Sequence, residues 1–230
     1  ISGTEGMADS RIPADCLLLQ WTMAAPCLAS AKALARSAYG PAFGDALTQA
    51  AGLGVRLTVQ RFAWSASTGR IYVYVELPGR MGVSRPAVLA VQAAAQAMLP
   101  AASNLAASRL TLAFDRPGAS HGQQRHAHYT VEMDPAEGWA PEIFRWYDEE
   151  HMPGLAAVQG NIHSRRYLNH DGGPLSLACY DLQNPGVLGC PAWLQVRATA
   201  WSDITRPHFT HTVRTMFATV DAGDAAWPPY

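Results

Sequence analysis

The chain is almost without lysine: Lys32 is the only one, and every other basic side chain is an arginine. Charge of either sign is sparse, at 15% of residues, and it balances to a formal net charge of −1. That balance excludes a protein that grips nucleic acid through bulk positive charge, and it excludes a solvated acidic chain. No stretch approaches the ~18 consecutive apolar residues of a membrane span. The four cysteines, Cys16, Cys27, Cys179 and Cys190, form no C-x-x-C pair and no zinc spacing. They are expected to be reduced, buried thiols of a cytoplasmic protein. There is no Walker loop and no G-x-G-x-x-G, which argues against a P-loop NTPase and a Rossmann dehydrogenase. The last shortage is positional. None of the eight histidines lies in the first 120 residues.

What is present is 230 residues, 49% of them apolar, enough to bury a core without disulfide or metal staples. Residues 1–15 read as an N-terminal arm that opens on a tag remnant, ISGTEG, with Met7 as a plausible start and no apolar signal-peptide core. An apolar run at 16–23 reads as a strand, and helical spacing of Leu28, Ala31, Leu34, Ala35 and Ala38 predicts a helix over 27–39. Alternation predicts a hairpin from 55–64 and 70–77. A helix follows at 84–98, with Ser84 as N-cap, then a strand at 108–114. Residues 116–125 are polar and turn-rich, a linker, after which the order repeats. Strand 126–133 leads to Asp134-Pro135-Ala136-Glu137, which has the signature of a helix start; Pro141 marks a kink or the true start. That helix runs to about His151, where Pro153 and Gly154 end it. Strands at 162–168 and 175–181, a helix at 191–200 and a strand at 211–219 complete the second half, and 221–230 form a tail. The expected fold is α+β: two ferredoxin-like β-α-β-β-α-β units, over 16–115 and 126–220, whose bare sheet faces close on each other as an intrachain α+β barrel.

The second half carries WYDEEHMPGLAAVQG from Trp146 to Gly160, then Arg165-Arg166-Tyr167, Cys179-Tyr180-Asp181-Leu182, Ala192-Trp193 and Thr199-Ala200-Trp201. In that order these resemble the dimeric α/β-barrel superfamily, in particular its EthD-like and stress-responsive A/B-barrel branches, over about 125–220. The resemblance implies a barrel that usually needs two chains, here a fused tandem repeat. The first half has Tyr39-Gly40-Pro41 where the second has His151-Met152-Pro153, and lacks the histidine and the Arg-Arg-Tyr. One site per chain, in the second half, is the implication. The superfamily includes cofactor-free oxygenases, cyclases, isomerases, haem enzymes and proteins of no known activity, so it implies a fold more than a reaction.

Strand alternation sorts the side chains. Ala127, Tyr129, Val131 and Met133 suit the helix side, which turns His126, His128, Thr130 and Glu132 to the barrel interior. His163, Arg165 and Tyr167 form the more polar set of their strand, and Tyr180 and Arg214 lie on the two strands after it. In the first half Gln20, Thr22, Thr58, Gln60, Tyr72, Tyr74, Glu76, Arg109 and Thr111 fall on the corresponding face. Buried polar groups of this kind must satisfy one another or serve a ligand.

His151, at a helix C-terminus beside Asp148 and Glu150, is expected to favour its protonated form. It is a candidate general acid/base, as are His126 and His128. Those two could also sit on a metal with Glu132 or His163, but no metal motif supports it, and no metal or cofactor is assigned. Arg165, Arg166 and Arg214 could clamp a carboxylate or phenolate, and Tyr167 and Tyr180 could donate to a carbonyl or enolate. Trp139, Trp146, Trp193 and Trp201 read as core. The leading expectation is a cofactor-independent lyase, isomerase or cyclase moving protons on a small aromatic or carbonyl-containing acid. The alternatives are a cofactor-free or haem-dependent oxygenase and a non-catalytic binding protein. A small molecule is the expected partner, with a homodimer left open.

Overall fold

A computed structural model describes residues 10–220. Eight strands close into an antiparallel barrel in the order β1-β3-β2-β8-β5-β7-β6-β4. The first unit supplies β1 (Ile12–Thr22), β2 (Thr58–Trp64), β3 (Arg70–Val83) and β4 (Ala106–Pro117). The second supplies β5 (Ala127–Pro135), β6 (Asn161–Asn169), β7 (Ser176–Leu182) and β8 (Phe209–Val220). The outer strands of each unit pair with the other's: β4 with β6 through seven register positions, β2 with β8 through three. The two-unit α+β barrel is the architecture expected from the element order.

Helices coat the outside. Over the first unit lie α1 (Leu28–Tyr39), α2 (Pro41–Ala51) and α3 (Arg85–Met98). Each buries a stripe at three-to-four spacing, such as Phe43, Leu47 and Ala51 in α2 and Val88, Val91 and Ala95 in α3. A fully buried side chain of this size contributes about 1.5–3 kcal/mol. Ser84 caps α3 by accepting from the Ala87 N–H at 3.3 Å. Over the second unit lie α4 (Ala140–Trp146), a π-helical turn (Tyr147–His151), α5 (Met152–Ala156), α6 (Pro191–Arg197) and α7 (Ala200–Thr205).

Several elements depart from the sequence reading. Residues 12–15 are strand rather than arm, and Arg116 and Pro117 extend β4 into the expected linker. Asp134 is not a helix cap. β5 continues through it, and its carboxylate accepts the Leu175 N–H at 2.7 Å and pairs with His211. The helix starts at Ala140, with Pro141 in its first turn. Pro153 does not stop the helix either: it stands in the first turn of α5, where a missing N–H goes unnoticed. The segment expected as a helix at 191–200 breaks after Arg197, and Thr199 caps a second helix. The tag remnant at 1–6 and the tail at 221–230 lie outside the described residues.

Geometry demands glycine at position 160: φ is +93°, and a Cβ there would strike the Val187 side chain.

Candidate functional site

The sheet has two faces, and the expected site residues divide between them. Inside the barrel, Asp181 on β7 is the hub. It accepts from Arg61 Nη2 at 2.5 Å, from His128 Nδ1 at 2.8 Å and from Arg125 Nη1 at 3.3 Å. Because a carboxylate only accepts, Nδ1 carries the His128 proton, and Nε2 is left to accept from the Tyr74 hydroxyl at 2.8 Å. Burial first, and the Arg61 charge after it, outweigh the Asp181 bond and push the His128 imidazole down to about 4, so it is neutral at pH 7. The Asp181 carboxylate is held below its ordinary range by Arg61 and His128 despite its burial. Arg165 sits 3.7 Å from Asp181 and shares Asp115 with His163 at 2.9 and 2.7 Å. Tyr167 packs with Cys16, Leu18 and Cys179. At the barrel's centre these groups bond to one another and pack closely, although Arg61 Nε is buried without a partner. The central part of the interior is a polar core; the space that remains on this face lies toward the barrel's mouth.

Two particulars escaped the alternation. The register of β2 against β3 shifts between Val59 and Arg61, and that bulge turns Arg61 inward. On β4 it is Leu110 and Leu112 that face the interior, so Arg109 and Thr111 point outward. Arg109 there pairs with Asp171 at 2.9 Å.

A pocket lies on the other face of the same sheet, beneath the second unit's helices. Tyr129 and Val131 of β5, Tyr180 of β7 and Phe209 and Arg214 of β8 form its floor; Trp146, Tyr147 and His151 form a wall; Trp193, Arg197 and Arg206 complete it. Its cavity volume is about 30 Å³, and the hollow reaches about 370 Å³ when the open solvent at its mouth is counted. The π-helical turn, whose backbone closes i→i+5, places His151 over Trp146: the rings stack with centroids 4.1 Å apart and planes 20° apart.

His151 is 8% exposed, and its Nδ1 has no hydrogen-bond partner. Burial, then the Arg206 and Arg197 charges, push the imidazole down to about 3. It is neutral, against the protonated form expected from its helix end. The carboxylates that were to charge it are engaged elsewhere, Asp148 by Arg166 at 2.9 Å and Glu150 by Thr199 at 2.6 Å. Around the mouth, Arg197, Arg206 and Arg214 form no ion pair among the described residues. Burial and the other two cations push the Arg206 guanidinium below its ordinary value, partly offset by Asp203.

Of the expected site residues, only His151, Tyr180 and Arg214 meet in this pocket, and the Tyr180 hydroxyl is committed to Met152 Sδ at 3.0 Å. Arg166 lies behind the wall, over the rings of Phe144 and Tyr147 at 4.6 and 5.4 Å. His126 stands at the entry to β5, away from both groups, with its backbone bonded to Leu182 and Thr219. No three metal-ligating side chains gather among the described residues. The first unit's matching space is filled by one continuous apolar cluster, and Tyr39 there accepts the Phe62 N–H at 2.9 Å.

No family model and no curated protein matches the chain. Solved structures do. A presumptive monooxygenase from Fusobacterium nucleatum subsp. nucleatum is similar over 96% of this chain and 98% of its own, at 11% identity and TM-score 0.56. An anthrone oxidase-like protein matches over 94% and 96%, at 11% identity and TM-score 0.55. A chlorite dismutase variant from Candidatus Nitrospira defluvii matches over 90% and 92%, at 9% identity and TM-score 0.54. The chain shares its fold with these proteins. At such identities the likeness concerns the fold alone.

The haem that the resemblance raised does not fit these residues. A histidine is present, but the whole hollow, about 370 Å³ with its open mouth, is smaller than a macrocycle needs.

Proposed function

We propose that this protein is a cofactor-independent enzyme of small aromatic acids, with proton transfer at His151 as its chemical step. The observation that carries the reading is a buried neutral imidazole with an unpartnered nitrogen, facing an aromatic hollow ringed by three arginines that have no ion pair among the described residues. A neutral imidazole has a lone pair free to accept a proton, and a bound carboxylate that offsets the Arg206 and Arg197 charges would raise the basicity that they and burial hold down. Tyr129, Trp146, Tyr147 and Phe209 offer ring faces to a planar substrate. Arg197, Arg206 and Arg214 draw in a carboxylate and stabilise the phenolate or enolate that forms when the proton leaves. Reprotonation at another atom makes the step an isomerisation; attack of the enolate carbon on a carbonyl of the same substrate, whose oxygen takes up the proton, makes it a cyclisation; expulsion of a β group makes it a lyase reaction.

A second reading rests on the oxidase- and monooxygenase-like names among the structural neighbours. An electron-rich phenolate is also what dioxygen attacks, so the same deprotonation would serve a cofactor-free oxygenase. A panel of phenolic acids, followed by chromatography and by an oxygen electrode, separates the two. Turnover abolished by His151→Ala supports the shared step, and oxygen uptake decides between its outcomes. Full turnover in the His151→Ala variant removes both readings.

A further inference from the structure

The same chain holds a second hollow, larger and on the opposite face of the sheet. It opens at the end of the barrel where β1 leaves, β3 enters and the β6–β7 hairpin turns. Its volume is about 360 Å³, and Gln20, Arg70, Tyr72, Asn104, Glu132 and Val213 line it. The polar groups at its base are incompletely used. Glu132 is 7% exposed, and the one hydrogen bond recorded for it runs to Oε1, which accepts from the Tyr72 hydroxyl at 2.6 Å. Gln20 Oε1 is buried without any partner. Arg70 has no ion pair among the described residues; its Nη1 reaches Thr215 Oγ1 at 3.5 Å, and it bears on the Tyr72 hydroxyl through a side-chain hydrogen bond as well as its charge. Burial raises the Glu132 carboxyl, and the Tyr72 bond and the Arg70 charge offset part of that rise.

An isolated buried carboxyl costs free energy unless something donates to it, and an orphan amide oxygen beside it adds to that cost. The two acceptors call for N–H donors on a ligand. The guanidinium calls for a carboxylate, to which it offers a two-pronged donor set. A ligand that answers both is dipolar, with an ammonium at one end and a carboxylate at the other. We propose that this barrel mouth is a binding site for a small dipolar ligand of the free amino-acid class, with its ammonium on Glu132 and Gln20 and its carboxylate on Arg70. The site is separate from the pocket of His151 and does not depend on what that pocket does.

Calorimetric titration of the full chain with glycine, L-alanine and L-serine tests it. The controls are acetate and methylamine, which each carry half of the dipole, and glycine betaine, which keeps both charges but has no N–H. Saturable binding of at least one amino acid is expected, with each control at least tenfold weaker. Arg70→Ala and Glu132→Gln should each weaken that binding at least tenfold. Arg206→Ala, in the other pocket, should leave it unchanged. Glu132→Gln keeps an acceptor for Tyr72, and Arg70→Ala gives up only long or secondary contacts to Thr215 and Tyr72, so a folding defect in one variant still leaves the other to decide. The proposal is overturned by no saturable binding of any of the three amino acids, by betaine or acetate binding equally well, or by both variants binding like the parent.

Discussion

Trp146 lies flat against His151, ring on ring, with centroids 4.1 Å apart. The stack fixes the imidazole plane and closes one of its faces, so a substrate meets His151 from the pocket side alone. Trp146→Ala should therefore free the ring as well as open a hole. Turnover on the best phenolic acid should fall at least tenfold, and stability should fall by about 3–5 kcal/mol, because Trp146 is 1% exposed. Trp146→Phe keeps a stacking face and should restore most of the rate. Equal rates for the Ala and Phe variants would show that the stack does not position the histidine.

The pH profile should carry His151's signature. Its imidazole is held down to about 3, so protonation does not silence it near pH 6.5. The acid limb of kcat/KM should lie below about pH 4.5, or wherever the fold itself fails. A limb centred near pH 6.5 would mean that the imidazole is hydrated and ordinary.

Stability should drain in acid earlier than carboxylates alone would dictate. His128 is held to about 4 in the fold, whereas in the unfolded chain it titrates near 6.5. Between those values the unfolded state binds the extra proton, so stability falls as pH drops from about 6.5 to about 4, by on the order of 3 kcal/mol for this residue. His151 drains over the same window and somewhat below it. Asp181, whose folded value is depressed, adds its own loss only below about 3.8. Urea midpoints of the parent and of His128→Gln at pH 7.5 and 4.5 measure the difference. The variant should be weaker at pH 7.5 and should lose less between the two.

The hub itself should be unforgiving. Asp181→Ala leaves the Arg61 guanidinium buried at 1% exposure without its counter-charge, and should cost about 3–5 kcal/mol. Pairing it with Arg61→Met removes the stranded charge, so the double variant should be more stable than the single one. A double variant as weak as the sum of the two singles would show that the pair is not coupled.

The arginines at the pocket mouth should behave in the opposite way. They repel one another and hold no carboxylate, so Arg206→Ala should leave the melting temperature unchanged or slightly raised. Its binding of a probe such as 4-hydroxybenzoate should weaken about tenfold, more at low salt than at high. A drop in stability with unchanged binding would reverse that assignment.

Much of the fold was legible because a strand's period of two is strict. The faces of β5 and β7 follow from reading Tyr129 against His128 and Tyr180 against Cys179. The reading failed where the backbone breaks its own period, as at the bulge that turns Arg61 inward and makes it the partner of Asp181. It failed again where proline and aspartate signals were overridden, at Asp134, whose carboxylate serves a neighbouring strand. The pocket was harder to foresee. Alternation says which side chains share a face, but not which face has room. Arg197, Arg206 and Arg214 come from a helix, a turn and a strand, with no spacing to link them. His151, Tyr180 and Arg214 stood out beforehand, and the protonation of His151 was misjudged because Asp148 and Glu150, close in sequence, turn to other partners.

The closure of the barrel within one chain has a genetic side. In a ring built from two identical chains each codon is read twice, so no change can fill one pocket and spare its twin. Here β2 meets β8 and β4 meets β6 under a single reading frame. Tyr39 and its apolar neighbours can therefore occupy one half while His151 keeps the other open, and each half is free to vary under its own constraint.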